Sequence, residues 1–163
     1  MRAHPHRYRT ELTWHGSTGG GYAAYDRTHQ VTAPPAGVTL SLSAHPTFRG
    51  DPDRLNPEQL LLAAASSCQM LSFLSLAARK GIDVVGYEDS AEAVMPLEDQ
   101  PVRITRIALR PRVAVVAPGD GERVRALMVR AHRECFIASS LNSEIVIEPE
   151  IVDAGGGAEP APG

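Results

Sequence analysis

Along residues 8–15 the chain alternates, with Tyr8, Thr10, Leu12 and Trp14 on one side and Arg9, Glu11 and Thr13 on the other. This period of two predicts a strand, and residues 38–42 repeat it. Residues 21–26 and 29–32 read as further short strands. The glycine cluster at 16–21, the Ala33-Pro34-Pro35 break and the proline-bounded stretch at 46–52 separate them. Then the pattern changes to helix. Asn56 is a fitting N-cap, Pro57 suits the first helical position and Gln59 completes a capping box. Lys80 followed by Gly81 marks the end. The helix so predicted runs about 23 residues and about 35 Å. It is apolar or small almost all round and needs cover on most sides, for which a second copy of the chain is a natural source. Ser66, Ser67, Gln69, Ser72 and Ser75 interrupt it, which favours a buried helix over a membrane span.

Residues 84–95 and 102–116 read as strands, the second with Ile107, Leu109, Val113 and Val115 on one face. Pro111 implies an edge or a bulge near its middle. Asp120 is placed to cap a second helix, in which Val124, Leu127, Met128, Ala131 and Cys135 recur at helical spacing. Arg123, Arg125, Arg130 and Arg133 decorate its other sides as a solvated face. A short helix or turn at 137–141 and a strand at 145–152 close the pattern. The fold class is α+β, with residues 1–153 as a single domain and the Gly/Ala/Pro-rich residues 154–163 as a disordered tail.

Composition narrows the function classes. A chain of 163 residues supports one core. A net charge of -3 gives no reason to expect nucleic acid as a partner. Of the 16 basic residues only Lys80 is lysine, a compositional bias of the source. The first residues lead into polar sequence with no apolar signal segment, so the expected compartment is the reducing cytoplasm. A permanent structural disulfide is not expected there. His15, His29 and His45 lack ligand spacing, so neither a metal nor another cofactor is expected.

Cys68 and Cys135 are the only cysteines. Both fall on apolar helical faces, where inert core residues, a disulfide and a working redox pair are the alternatives. A catalytic thiol must be held as thiolate by a cation, a donor or a helix N-terminus, and Cys68 lies too far along its helix for the dipole. An arginine beside it would need a carboxylate. Glu58 is the only acid in the long helix, although an acid in the first turn also simply favours the dipole. Ten positions separate Glu58 from Cys68, about 15 Å along the axis. Either an arginine spans them, or a second copy of the helix brings its Glu58 alongside. His132, three residues before Cys135, is placed either to reach that sulfur or to pack between helices.

The motif Asn56-Pro57-Glu58-Gln59-Leu60, followed by Ala63-Ala64 and Cys68, resembles the helix start of the OsmC/Ohr family of thiol-dependent hydroperoxide reductases. Ala131-His132-Arg133-Glu134-Cys135 resembles that family's second motif, Ala-His-x-x-Cys, and the order of elements agrees over nearly the whole chain. The resemblance implies an OsmC-like fold, with antiparallel sheets around a long central helix, and an intertwined homodimer with active sites at the subunit interface. It implies that Cys68 attacks a small organic hydroperoxide and becomes a sulfenic acid. Cys135 then forms a disulfide with it, and an external dithiol reduces that disulfide. Glu58 would orient an activating arginine.

The chain departs from the peroxidase branch at three places. Phe136 and Ala138 stand where that branch usually has proline and serine. Gly21, after Thr18-Gly19-Gly20, stands where the activating arginine often lies. Arg27 is the nearest candidate, with Arg49 and Arg54 in reserve. These departures mark a divergent branch. They leave a second reading open, a weakly active or non-catalytic stress-associated dimer that binds a small apolar ligand. No membrane partner is expected.

Overall fold

The structure is a computed structural model that describes residues 5–117 and 119–154. The chain divides into two compact units, one up to Leu60 and the other from Leu61 onward. The predicted single domain of residues 1–153 and the predicted disordered tail are separate matters, and of that tail only Ala154 lies within the described residues.

The first unit is built on a three-stranded antiparallel meander: β1 (Glu11–Thr13), β2 (His29–Thr32) and β3 (Thr39–Leu42). Leu12 faces Val31, and Val31 faces Leu40. The predicted strand at 21–26 is instead a run of turns, closed by Gly21 N–H donating to Thr18 O and by Gly21 at φ 83°. That φ is open to glycine and strained for most other residues.

α1 (Pro57–Arg79) follows. Its start is the predicted capping box: Gln59 N–H donates to Asn56 Oδ1 at 2.9 Å, and Asn56 N–H donates to Gln59 Oε1 at 3.0 Å. Its end is a Schellman turn. Gly81 adopts φ 67°, Ile82 N–H reaches Ala77 O at 3.0 Å and Gly81 N–H reaches Ala78 O at 3.2 Å. α1 is long and apolar enough by composition to cross a membrane. Its buried residues, Ala65, Gln69, Phe73, Leu76 and Ala77, nevertheless form one stripe.

The second unit shows where the sequence pattern misleads. Three stretches that read as single strands are each broken in two. The first gives β4 (Val84–Asp89) and β5 (Glu92–Val94), and the second gives β6 (Arg106–Leu109) and β7 (Pro111–Val115). The third gives β8 (Glu144–Ile147) and β9 (Glu150–Asp153). The halves belong to different sheets, ordered β4-β7-β9 and β5-β6-β8. In each sheet one neighbour of the middle strand is antiparallel and the other parallel.

Arg110, at the central break, ties the three together. Its N–H donates to Asp89 Oδ1 at 2.7 Å, and its guanidinium pairs with Glu92 at 2.9 Å and Glu148 at 3.1 Å. Pro111 opens β7, the position in a strand where a missing N–H does least harm. Alternation continues through the bend, so Ile107, Leu109, Val113 and Val115 are all buried, as predicted.

α2 (Gly121–Glu134) packs Val124, Leu127, Met128 and Ala131 against Phe73, Leu76 and Val113 of the same core. Asp120 precedes it but makes no side-chain cap bond. Its backbone is already helical (φ -74°, ψ -2°), and its carboxylate pairs with Arg123 instead. The buried Gln69 donates through Nε2 to Met128 O at 3.2 Å, a polar tie between α1 and α2.

Candidate redox site

The second unit brings Cys68 and Cys135 together, both as free thiols. Cys68 projects from the middle of α1 and lines a groove of about 740 Å³ with Leu71, Ser72, Arg79, Arg133 and Phe136. Cys135 is not inside a helix, as its spacing predicts, but caps the end of α2. At φ -74° and ψ 116° it is extended and turns the chain away from the helix axis. That turn presents the following amides to sulfur: Ala138 N–H donates to Cys135 Sγ at 3.4 Å.

The two thiols differ in proton affinity. Partial burial pushes the Cys68 thiol up. Donation from the Cys135 thiol, from the N–H groups of Ile137 and Phe136 and from the Ser72 hydroxyl outweighs burial, and Cys68 sits below the ordinary cysteine value. Cys135 goes the other way. Burial raises it, and its proton is held further by donation to Cys68, which the amides of Ala138 and Ile137 only partly offset. Of the two, Cys68 is the thiol that gives up its proton more readily and Cys135 the one that holds it. A partly exposed, more acidic thiol beside a buried, less acidic one is an arrangement that suits nucleophilic attack followed by disulfide formation.

His132 lines a cavity of about 250 Å³ with Ser139 and Ser143; Ser139 and Arg133 also line the adjoining Cys68 groove, but His132 does not. Its Nδ1 is buried without a hydrogen-bond partner among the described residues.

Glu58 and Arg27 lie together in the first unit, lining a cavity of about 470 Å³ with Trp14, Tyr25, His45 and Phe48. Arg27 is held by its own loop. Its guanidinium donates to Tyr25 O at 2.6 Å and Tyr22 O at 2.7 Å, and lies 3.9 Å from the Tyr25 ring centroid and 4.7 Å from that of Tyr22. Glu58 Oε2 is buried with no hydrogen-bond partner, and no ion pair joins it to Arg27 among the described residues. Of the reserve arginines, Arg54 is paired with Asp51, and Arg49 closes a turn at φ 63°. Among the described residues no cluster of His, Cys, Asp or Glu is arranged to hold a metal ion.

The donors on Cys68 were missed in the sequence. Backbone N–H groups leave no mark in residue types, and only the absence of proline at 136 hinted that one was available. Ser72, four residues after Cys68 on the same helical face, was legible by spacing.

Bent paired sheets, a long helix carrying one thiol and a second thiol at the end of a shorter helix define an OsmC-like fold. The family model described as OsmC-like protein matches residues 50–150, and the chain belongs to that family. Among solved structures, an OsmC-like protein of unknown function from Vibrio cholerae is similar at 28% identity and a TM-score of 0.80, covering 89% of this chain and 99% of that one. An organic hydroperoxide resistance protein OsmC from Legionella pneumophila shares the fold at 15% identity and a TM-score of 0.64, covering 91% and 98%. The organic hydroperoxide resistance protein OhrB of Bacillus subtilis shares it at 17% identity and a TM-score of 0.55, covering 88% and 98%. No curated protein matches the sequence.

Proposed function

We propose that this protein is a cysteine-based peroxidase that reduces organic hydroperoxides to alcohols in oxidative stress defence. The observation that carries the reading is the split proton affinity of two free thiols that influence each other's titration, Cys68 lowered and Cys135 raised. The Cys68 thiolate attacks the outer peroxide oxygen; the O–O bond breaks, the alkoxide takes up a proton to leave as alcohol, and Cys68 becomes a sulfenic acid. Cys135 sulfur then attacks Cys68 sulfur, water leaves, and a disulfide remains. An external dithiol returns both thiols by two exchange steps. No bound cofactor enters. The family resemblance adds an arginine held by Glu58. Arg27, which lines a cavity with Glu58 without pairing with it in this structure, is the candidate for that role.

A homodimer in the cytoplasm is part of the same reading. Its support is the face of α1 formed by Ala64, Ser67, Leu71, Ser75 and Ala78, which is exposed although it is apolar or small, with Leu71 61% exposed. Light scattering of the purified protein should give twice the chain mass, and a monomer would contradict this part.

Cys68→Ser should abolish turnover. Cys135→Ser should consume one peroxide per subunit and stop at an oxidised Cys68. Sustained turnover by Cys68→Ser would sink the reading. Phe136 and Ala138 support the second reading, an apolar-ligand-binding dimer of the same fold. It predicts little thiol loss with peroxide and stabilisation by an apolar ligand.

A further inference from the structure

α2 stops at Glu134, and Cys135 beyond it is extended at φ -74° and ψ 116°. In extended backbone successive side chains point to opposite sides. Cys135 is 1% exposed, so the side chain that follows is sent outward, and the Phe136 ring is 80% exposed. Among the described residues that ring belongs to neither hydrophobic cluster and pairs with no other aromatic ring. Single exposed apolar side chains are ordinary on a protein surface. The place of this one sets it apart. It lines the groove of Cys68 together with Leu71, which is also mostly exposed. Cys135 does not line that groove, so among the described residues Cys68 alone offers it a sulfur.

We propose that the Phe136 ring receives the organic group of the substrate, and that the preferred substrate is a hydroperoxide carrying an aromatic ring. Phe136 is then a specificity-determining residue. The inference rests on reading Cys68 as the thiol that meets the peroxide, because a hydroperoxide whose oxygen reaches that sulfur must lay its organic group along the same groove. At about 740 Å³ the groove falls within the range of small-molecule sites, roughly 300–1,000 Å³. A second ring can meet the unpacked Phe136 ring edge-on or offset, and such pairs attract beyond the area they bury. The groove also carries Arg79 and Arg133, neither with an ion-pair partner among the described residues. Glu134, the acid in the lining, is already held by Arg130 at 2.8 Å. A guanidinium free of carboxylate favours the face of an aromatic ring. Leu71 by itself suits any hydrocarbon, whereas a ring beside two unpaired guanidinium groups favours an aryl group.

Cumene hydroperoxide and t-butyl hydroperoxide form a matched pair. Both are neutral and tertiary, and they differ by a phenyl in place of one methyl. Loss of the Cys68 thiol is followed in a single turnover of the reduced full chain, and the ratio of the two second-order rate constants is taken for the wild type, F136L and F136Y. Leucine keeps apolar bulk and loses the ring, so F136L should lower the preference for cumene hydroperoxide roughly two- to ten-fold, the range of one aromatic pair. Tyrosine keeps the ring, so F136Y should retain the wild-type ratio. An F136L ratio equal to that of the wild type would overturn the proposal.

Alkylation of Cys68 reads the same contact without peroxide. The rates with 2-iodo-N-phenylacetamide and iodoacetamide, each divided by its rate with free cysteine, should favour the phenyl reagent in the wild type and lose that advantage in F136L. A wild type inert to hydroperoxides that keeps this phenyl preference would remove the proposed reaction and leave Phe136 as the wall that binds a ring. Unchanged ratios in an active protein would remove the role of Phe136 alone. Should the ring instead pack against a second copy of the chain, F136L would leave both ratios unchanged and raise the concentration at which the dimer dissociates, which would overturn the proposal.

Discussion

Asp89 should be the side chain whose loss most weakens the second unit without touching the thiols. It sits at the first strand break, where β4 gives way to β5, and its two oxygens do different jobs. Oδ1 accepts from Arg110 N–H at 2.7 Å, which joins the first break to the central one. Oδ2 accepts from the Ser66 hydroxyl, which anchors α1 two residues before Cys68. A hydrogen bond to a charged group contributes roughly 1.5–3 kcal/mol. Asp89 is only half-buried, so the lower end applies to each bond, and Asp89→Ala should cost about 3 kcal/mol. For a chain of this size that is a fall of roughly 6–12 °C in Tm. Asp89→Asn keeps an acceptor for Arg110 and an amide that Ser66 oxygen can accept from, so it should cost about 1 kcal/mol. Ser66→Ala should cost about as much, and its effect should largely vanish in the Asp89→Ala background, since the two share one bond. Urea unfolding at one fixed protein concentration reads all four variants. An Asp89→Ala protein within about 0.5 kcal/mol of wild type would refute the reasoning, as would Asp89→Asn as unstable as Asp89→Ala.

Two further outcomes follow from groups with shifted proton affinity. Burial, and then the Asp89 charge, raise the Tyr87 hydroxyl above its ordinary value of 10.0, and that hydroxyl has no hydrogen-bond partner among the described residues. A raised folded-state value means that stability is full below the unfolded-state value and is lost as pH climbs beyond it. Urea unfolding should therefore show stability falling above about pH 10. Tyr87→Phe should flatten that loss while changing neutral-pH stability by less than about 1 kcal/mol. Cys68 is shifted in the opposite direction. Its reaction with cumene hydroperoxide should rise with pH through a midpoint below that of a free cysteine, and a midpoint at or above the free-thiol value would contradict the site description.

Much of the fold was legible because its strongest signals are local. Asn56, Pro57 and Gln59 start α1 by side-chain and backbone bonds within four residues, and Gly81 ends it with a conformation that favours glycine. The strand breaks at Ser90, Arg110 and Glu148 were not legible, since the alternation of buried and exposed positions carries across a bend without losing phase. Only Pro111 gave a hint. The end of α2 was misplaced for a related reason: Cys135 keeps the helical spacing of its buried neighbours although its backbone has left the helix. In the site, the residue types that carry chemistry were visible, but what faces Cys68 was not. The sequence directs attention to arginines, whereas the groups donating to this sulfur are a second thiol, a serine and two amides.

The pair itself is the claim to test first. Reduced protein is treated with one equivalent of cumene hydroperoxide, free thiols are counted before and after, and the intact mass is taken alongside. Loss of both thiols with a mass lower by two hydrogens is the predicted result, a disulfide between Cys68 and Cys135 formed in one turnover. Two thiols still free after the peroxide would contradict it.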